Sequence, residues 1–216
     1  MKRKKHSFTG SRPIFTGSPS KVIGGFNLDR SNQNFADGDI IPGGVLAIAN
    51  EETRLVQVIK TAKVAEVDSE DAKLVTLEVD EFYAPFFAVG DMILKAGTAA
   101  TAIASVPTIK KIEEKGNIYK ITLSAAITGL TKGDVLEEVI SDGEATTPKS
   151  KSRGLANSVT VADNEVKEFE TSIDVSADTL QYALYERRVL PIPASQKDDT
   201  GAFLKANPHV KFTKSH

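Results

Sequence analysis

The chain has 216 residues, 40% apolar and 26% charged, with no cysteine, no tryptophan and a formal net charge of −2. That length fits one domain with appendages or two small domains. Without cysteine there are no disulfides, thiolate metal sites or cysteine nucleophiles. The three histidines, His6, His209 and His216, offer no zinc framework, so neither a metal nor a cofactor is expected.

No apolar run approaches the roughly 20 residues that span a bilayer. The charged N-terminus is followed by SFTGSRPIFTGSPS rather than by an apolar leader core. The expectation is therefore no membrane partner, with synthesis and folding in a cytoplasm. Charge is unevenly spread. Residues 1–30 carry seven Lys/Arg against Asp29 alone, a net of +6, whereas residues 31–145 carry ten basic and nineteen acidic residues, a net of −9. A basic arm on an acidic body usually finds an acidic surface.

Residues 1–30 read as an extended basic arm. MKRKK is followed by Gly, Pro and Ser residues that interrupt both helix and strand patterns. Phe8 and Ile14-Phe15 are its apolar anchor points. Residues 31–145 read as the β core. In NFADGDIIPGGVLAIANEET, Asp37-Gly38 and Gly43-Gly44 mark turns around short apolar runs, and Pro42 places its strand at an edge or breaks it. Gly43-Gly44 lacks the Lys and Ser/Thr of a phosphate loop, so it is not expected to bind a nucleotide.

From Leu55 to Val139 one β unit is written twice: strand, polar turn, strand, then a Gly-Asp pair leading into aliphatic residues. The first copy is VQVIKTAKVAEV, DSEDAK, LVTLEV, FAVGDMIL; the second is VPTIKKIEE, KGN, IYKITLS, LTKGDVLEEV. Val75, Leu77 and Val79 alternate with polar residues, as do Tyr119, Ile121 and Leu123, the mark of half-buried antiparallel strands. Gly38-Asp39, Gly90-Asp91 and Gly133-Asp134 are good turn chemistry, the glycine taking the unusual φ and the aspartate bonding the turn backbone. The aromatic run FYAPFFA at 82–88 reads either as core or, because Pro85 spoils a central strand, as a contact patch.

Residues 146–216 read as a linker, a small β segment and a tail. The polar stretch SDGEATTPKSKSRG, with Lys149, Lys151 and Arg153, reads equally as an exposed boundary linker or as a long surface loop within one domain. Val159 with Val161, and Ile173 with Val175, carry β patterns; DTLQYALYERRVL suits helix or strand equally. Pro191 and Pro193 force an extended path, and Phe203, Val210 and Phe212 mark a last strand able to join a sheet in this chain or a neighbour. The fold class is thus all-β: an antiparallel small barrel or sandwich built from two Gly-Asp-closed hairpin repeats, with an extended N-terminal arm and a C-terminal tail.

The Gly-Asp-closed hairpins FAVGDMIL and LTKGDVLEEV, the ITL strand at 121–123, the segment YALYERRVLPIP and the tail NPHVKFT together resemble the phage head decoration, auxiliary capsid or head fiber proteins, over about residues 35–212. The resemblance implies a small β protein of the virion that attaches to the capsid, commonly as a homo-trimer or other homo-oligomer, reinforces it, and is not an enzyme. Its partner is then the major capsid protein of the same phage, and its place the virion capsid, assembled in the host bacterial cytoplasm. The partner-binding residues expected on this reading are Lys2, Arg3, Lys4, Lys5, Phe8 and Phe15 in the arm, Phe86 and Phe87 in the aromatic run, and Phe203 and Phe212 in the tail.

A nucleic-acid-binding β-barrel would set MKRKK and Lys149–Arg153 on phosphate, but the acidic body repels it. A hydrolase would need Asp91 and Asp134 converging in one cleft, for which turn positions give no reason.

Overall fold

The computed structural model describes residues 14–15, 25–31, 33–50, 52–98, 101–169, 171–175, 182–196 and 210–213. Among these the chain is all-β, with short 3₁₀ turns at Ile103–Ser105, Glu186–Arg188 and Ala194–Gln196. The strands are β1 (Phe26–Leu28), β2 (Ile40–Ile41), β3 (Leu46–Asn50), β4 (Leu55–Val58), β5 (Thr61–Val67), β6 (Leu74–Leu77), β7 (Ile93–Lys95) and β8 (Ile109–Lys115). They continue as β9 (Ile118–Leu123), β10 (Val135–Ser141), β11 (Ser150–Ser152), β12 (Ser158–Val159), β13 (Asn164–Glu165), β14 (Ser172–Ile173), β15 (Tyr182–Tyr185) and β16 (Val210–Thr213).

Two curled sheets organise these strands. The first runs β12-β3-β4-β1-β14, and a bridge between Thr160 and Val175 brings its ends together. The second runs β11-β10-β5-β6-β9-β8, with β7 also paired to β10 and linked to the start of β8 through a Met92–Thr108 bridge. Pairing within both is antiparallel except for β1 beside β4. Strands β15 and β16 form a separate parallel pair.

Sheet membership is discontinuous in sequence. Strands β1, β3 and β4 share the first sheet with β12 and β14, β2 pairs with β13 apart from it, and everything from β5 to β11 forms the second. The sequence segments 1–30, 31–145 and 146–216 therefore do not coincide with the sheets. Phe26–Leu28, within the basic segment, is strand β1. The polar stretch after residue 141 folds back as a hairpin, β11 lying antiparallel on β10. The ambiguous YALY run is the strand β15.

Each sheet has its own core, as the alternation requires. Val75, Leu77, Tyr119, Ile121 and Leu123 are all buried in the second, with Phe87 and Leu136. Phe26, Ile41, Val56, Val58, Phe86 and Ile173 fill the first. The outer strand β8 exposes Lys110, Lys111, Glu113, Glu114 and Lys115, a charged edge that discourages further strand addition.

The three Gly-Asp turns share one geometry. Gly38, Gly90 and Gly133 have φ of 86°, 96° and 92°, the left-handed value that glycine adopts without a Cβ penalty. Each aspartate N–H donates to the carbonyl three residues back, and each carboxylate Oδ2 accepts that same residue's N–H: Ala36 at 2.9 Å, Ala88 at 2.7 Å and Thr131 at 2.7 Å. Each turn also clamps a distant strand residue. Gly38 and Asp39 bond both backbone groups of Val166, Gly90 and Asp91 those of Ile109, and Gly133 and Asp134 those of Val64. The aspartates are thus bound to their own turns on three separate parts of the surface and seam.

A fourth turn keeps the clamp without the aspartate. The Gly44 N–H donates to the Thr160 carbonyl, and the Thr160 N–H donates to Val45 O. Pro42 stands where the other turns have an N–H in need of a carboxylate, so an apolar Val45 suffices. The buried Thr160 hydroxyl completes it, donating to Pro42 O at 2.8 Å and accepting the Val45 N–H at 2.9 Å. Thr160→Val is expected to leave that N–H buried and unpaired, costing about 1–3 kcal/mol, read as a lower urea midpoint at unchanged slope.

Candidate functional site: the polar seam between the sheets

Where the two sheets meet, the packing turns from apolar to charged. The chain passes from the first sheet to the second at Lys60 and returns at Arg153, and both side chains are almost wholly buried there. The Lys60 ammonium donates to Asp91 Oδ2 at 2.8 Å and to the Asn34 carbonyl at 2.5 Å, and lies 4.3 Å from the centre of the Phe35 ring. Asn34 Nδ2 donates to the other Asp91 oxygen at 3.1 Å. Asp91 therefore does two jobs at once: it caps its own Gly-Asp turn and neutralises the crossing lysine.

Arg153 donates to both oxygens of Glu138, at 2.9 Å and 3.3 Å. Glu138 Oε2 also accepts from Gln33 Nε2 at 3.1 Å, and Gln33 in turn bonds both backbone groups of Val58 in β4. Arg153 reaches Gln57, whose amide donates to Asp29 at 2.7 Å. Burial pushes the Glu138 carboxyl above its ordinary value, against the pull of Lys60 and Arg153. The seam is a row of paired charges linking β1, β4 and the Asn34 segment to β10. Its chemistry is clamping: Lys60 with Asp91 and Arg153 with Glu138 are compensated and enclosed.

Glu137, next in β10, differs. It is 4% exposed; the Ser152 hydroxyl donates to Oε1, and Oε2 has no partner. Burial pushes its carboxyl up, partly opposed by the Ser152 bond.

A strap over residues 182–196 crosses the same junction. Arg187 pairs with Asp80 at 2.7 Å beside the second sheet, and the Thr61 hydroxyl donates to Pro191 O at 2.6 Å. Gln196 holds Gly154 O and the Ala156 N–H at the first. Val189 and Ile192 pack with Phe15, Leu46 and Ile59. The strap occupies the crevice between the sheets, where the remaining cavity is only about 10 Å³.

The residues expected from sequence to bind a partner fall differently. Phe15, Phe86 and Phe87 are buried at 5%, 2% and 4%, their rings taken up in the chain's own cores. Phe212 lies in β16, opposite Leu184. Lys2, Arg3, Lys4, Lys5, Phe8 and Phe203 lie outside the described residues. Lys60, Gln33, Glu137, Glu138 and Arg153 form the seam instead. One signal for it is readable: two consecutive glutamates inside VLEEVI break the period of two that a half-buried strand obeys.

Among the described residues no three His, Asp or Glu side chains converge as metal ligands, and no helix is long and apolar enough to cross a membrane. No protein-family model matches the chain, and neither a curated protein nor a solved structure is similar to it.

Proposed function

We propose that this chain is a structural virion protein, an auxiliary or decoration protein that binds the major capsid protein of a bacteriophage head and acts by attachment, without catalysis. What supports the reading is one surface feature. Phe169 is 87% exposed, next to a backbone stretch that Arg30 ties down. Arg30 donates to the carbonyls of Lys167 and Glu168 at 2.6 Å and 2.9 Å and pairs with Asp37 at 3.2 Å, and the Lys167 N–H donates to Thr171 Oγ1. Large exposed aromatic rings are enriched among the residues that protein–protein interfaces bury. Exposed Glu165, Lys167 and Glu168 lie in the same turn region, so the matching surface is an apolar pocket rimmed by charges of both signs.

The test is co-sedimentation with capsids of the encoding phage that lack this protein. The full chain is expected to pellet with them, and Phe169→Ser to bind about 10- to 30-fold more weakly with an unchanged denaturation midpoint. A full chain that stays in the supernatant removes the virion reading.

A further inference from the structure

Both passages between the sheets rest on two adjacent residues of β10. At the inward passage the Glu138 N–H donates to Lys60 O at 3.0 Å, and Thr61 stands directly across from Glu137. At the outward passage Ser152 bonds the Glu137 carboxyl and Arg153 bonds the Glu138 carboxyl. Glu137–Glu138 is therefore the pivot of the junction. The two halves of the pivot are unequal: Glu138 is matched by Arg153 and Gln33, whereas Glu137 makes no ion pair among the described residues and keeps one oxygen unbonded.

The groups around Glu137 explain why it stays unmatched. Across β5 it meets Thr61, whose hydroxyl is committed to Pro191 O. Across β7 it meets Leu94. On β11 it meets Ser152. The charged groups of the junction are committed elsewhere: Lys60 to Asp91, Arg153 to Glu138, Lys95 to Asp134 and Arg187 to Asp80. Arg188 lies over Phe82 and Tyr185.

We propose that Glu137 is a protonation latch: as the neutral acid it holds the outward passage at Ser152–Arg153 against β10, and as the carboxylate it loosens that passage and lets the two sheets move relative to one another. A neutral carboxyl tolerates an enclosed site with a single hydrogen bond, whereas a buried carboxylate with an unbonded oxygen does not. The carboxyl's pKa, raised by burial, agrees in sign. The folded chain keeps this proton where the unfolded chain, near its ordinary value of 4.5, has released it. The stabilisation is complete below that ordinary value and is lost as pH rises through the folded one.

The absence of native cysteine allows a direct test. Glu165→Cys on β13 and Lys110→Cys on β8, both exposed and one beside each sheet, carry spin labels for pulsed electron–electron distance measurement. With Glu137 present, a single narrow distance at pH 5 is expected to broaden at pH 9. With Glu137→Gln, a neutral replacement whose amide oxygen still accepts the Ser152 hydroxyl, it is expected to stay narrow at both. Equal distributions at the two pH values with Glu137 present overturn the latch, as does equal broadening in Glu137→Gln.

Discussion

Asp91→Ala is expected to be among the most damaging single changes in this chain, lowering stability by about 3–5 kcal/mol, the range for removing one partner of a buried ion pair. The loss has two parts. The Ala88 N–H loses the carboxylate that closes its turn, and the Lys60 ammonium, 1% exposed, is left with the Asn34 carbonyl and the face of Phe35. A second substitution separates them. Lys60→Met in the same background removes the stranded charge, so the double variant is expected to be more stable than Asp91→Ala alone. Urea denaturation of the two single variants and the double gives the coupling. If Lys60→Met adds its own full cost on top, the pair is not coupled and the seam is not clamped by charge.

The second large effect is expected at Gly44. Its φ is +84°, and a Cβ placed there would stand 2.3 Å from Val189 Cγ1 and 3.2 Å from Ile14 Cδ1. Gly44→Ala therefore meets a backbone cost of about 1–2 kcal/mol and an overpacking cost of about 1–3 kcal/mol. Gly97→Ala is the matched control, with φ +77° and open space around its Cβ, so only the backbone cost applies. Val189→Ala in the Gly44→Ala background is expected to recover much of the difference in denaturation midpoint. Failure to recover it would mean that the strap is not seated on this turn.

Much of the local architecture was legible. Period-two alternation located Val75, Leu77, Tyr119, Ile121 and Leu123 in a core, because side chains of one strand alternate faces whatever the strand pairs with. Gly-Asp pairs announced turns because few residues accept a left-handed φ. Pro42 marked the end of β2 because it has no N–H to give a ladder.

What was not legible is pairing at long range. Nothing local to Ser158-Val159 says that they lie on Leu46-Ala47, more than 100 residues earlier. For the same reason the polar stretch after Ser141 reads as a linker, although β11 returns onto β10. Lys60 and Arg153 look like ordinary solvated charges until the two passages are brought together, since a buried cation is recognised by its partner and not by its neighbours in sequence. Phe86 and Phe87 are adjacent in sequence yet enter different cores, which a reading of the run as one patch does not anticipate.

The discontinuous first sheet sets an order of events during synthesis. Strands β3 and β4 pair locally as soon as they are made, but β12 emerges from the ribosome only after the whole second sheet. The second sheet is continuous in sequence, and its own pairing sets Thr61 opposite Glu137, with β11 folded back on β10 nearby. Once folded, it holds the two entry points of the chain side by side. That replaces the closure of a loop of about 100 residues with a much shorter one. The inserted unit thus acts as an assembly jig for the sheet that encloses it, and β12 and β14 complete that sheet last.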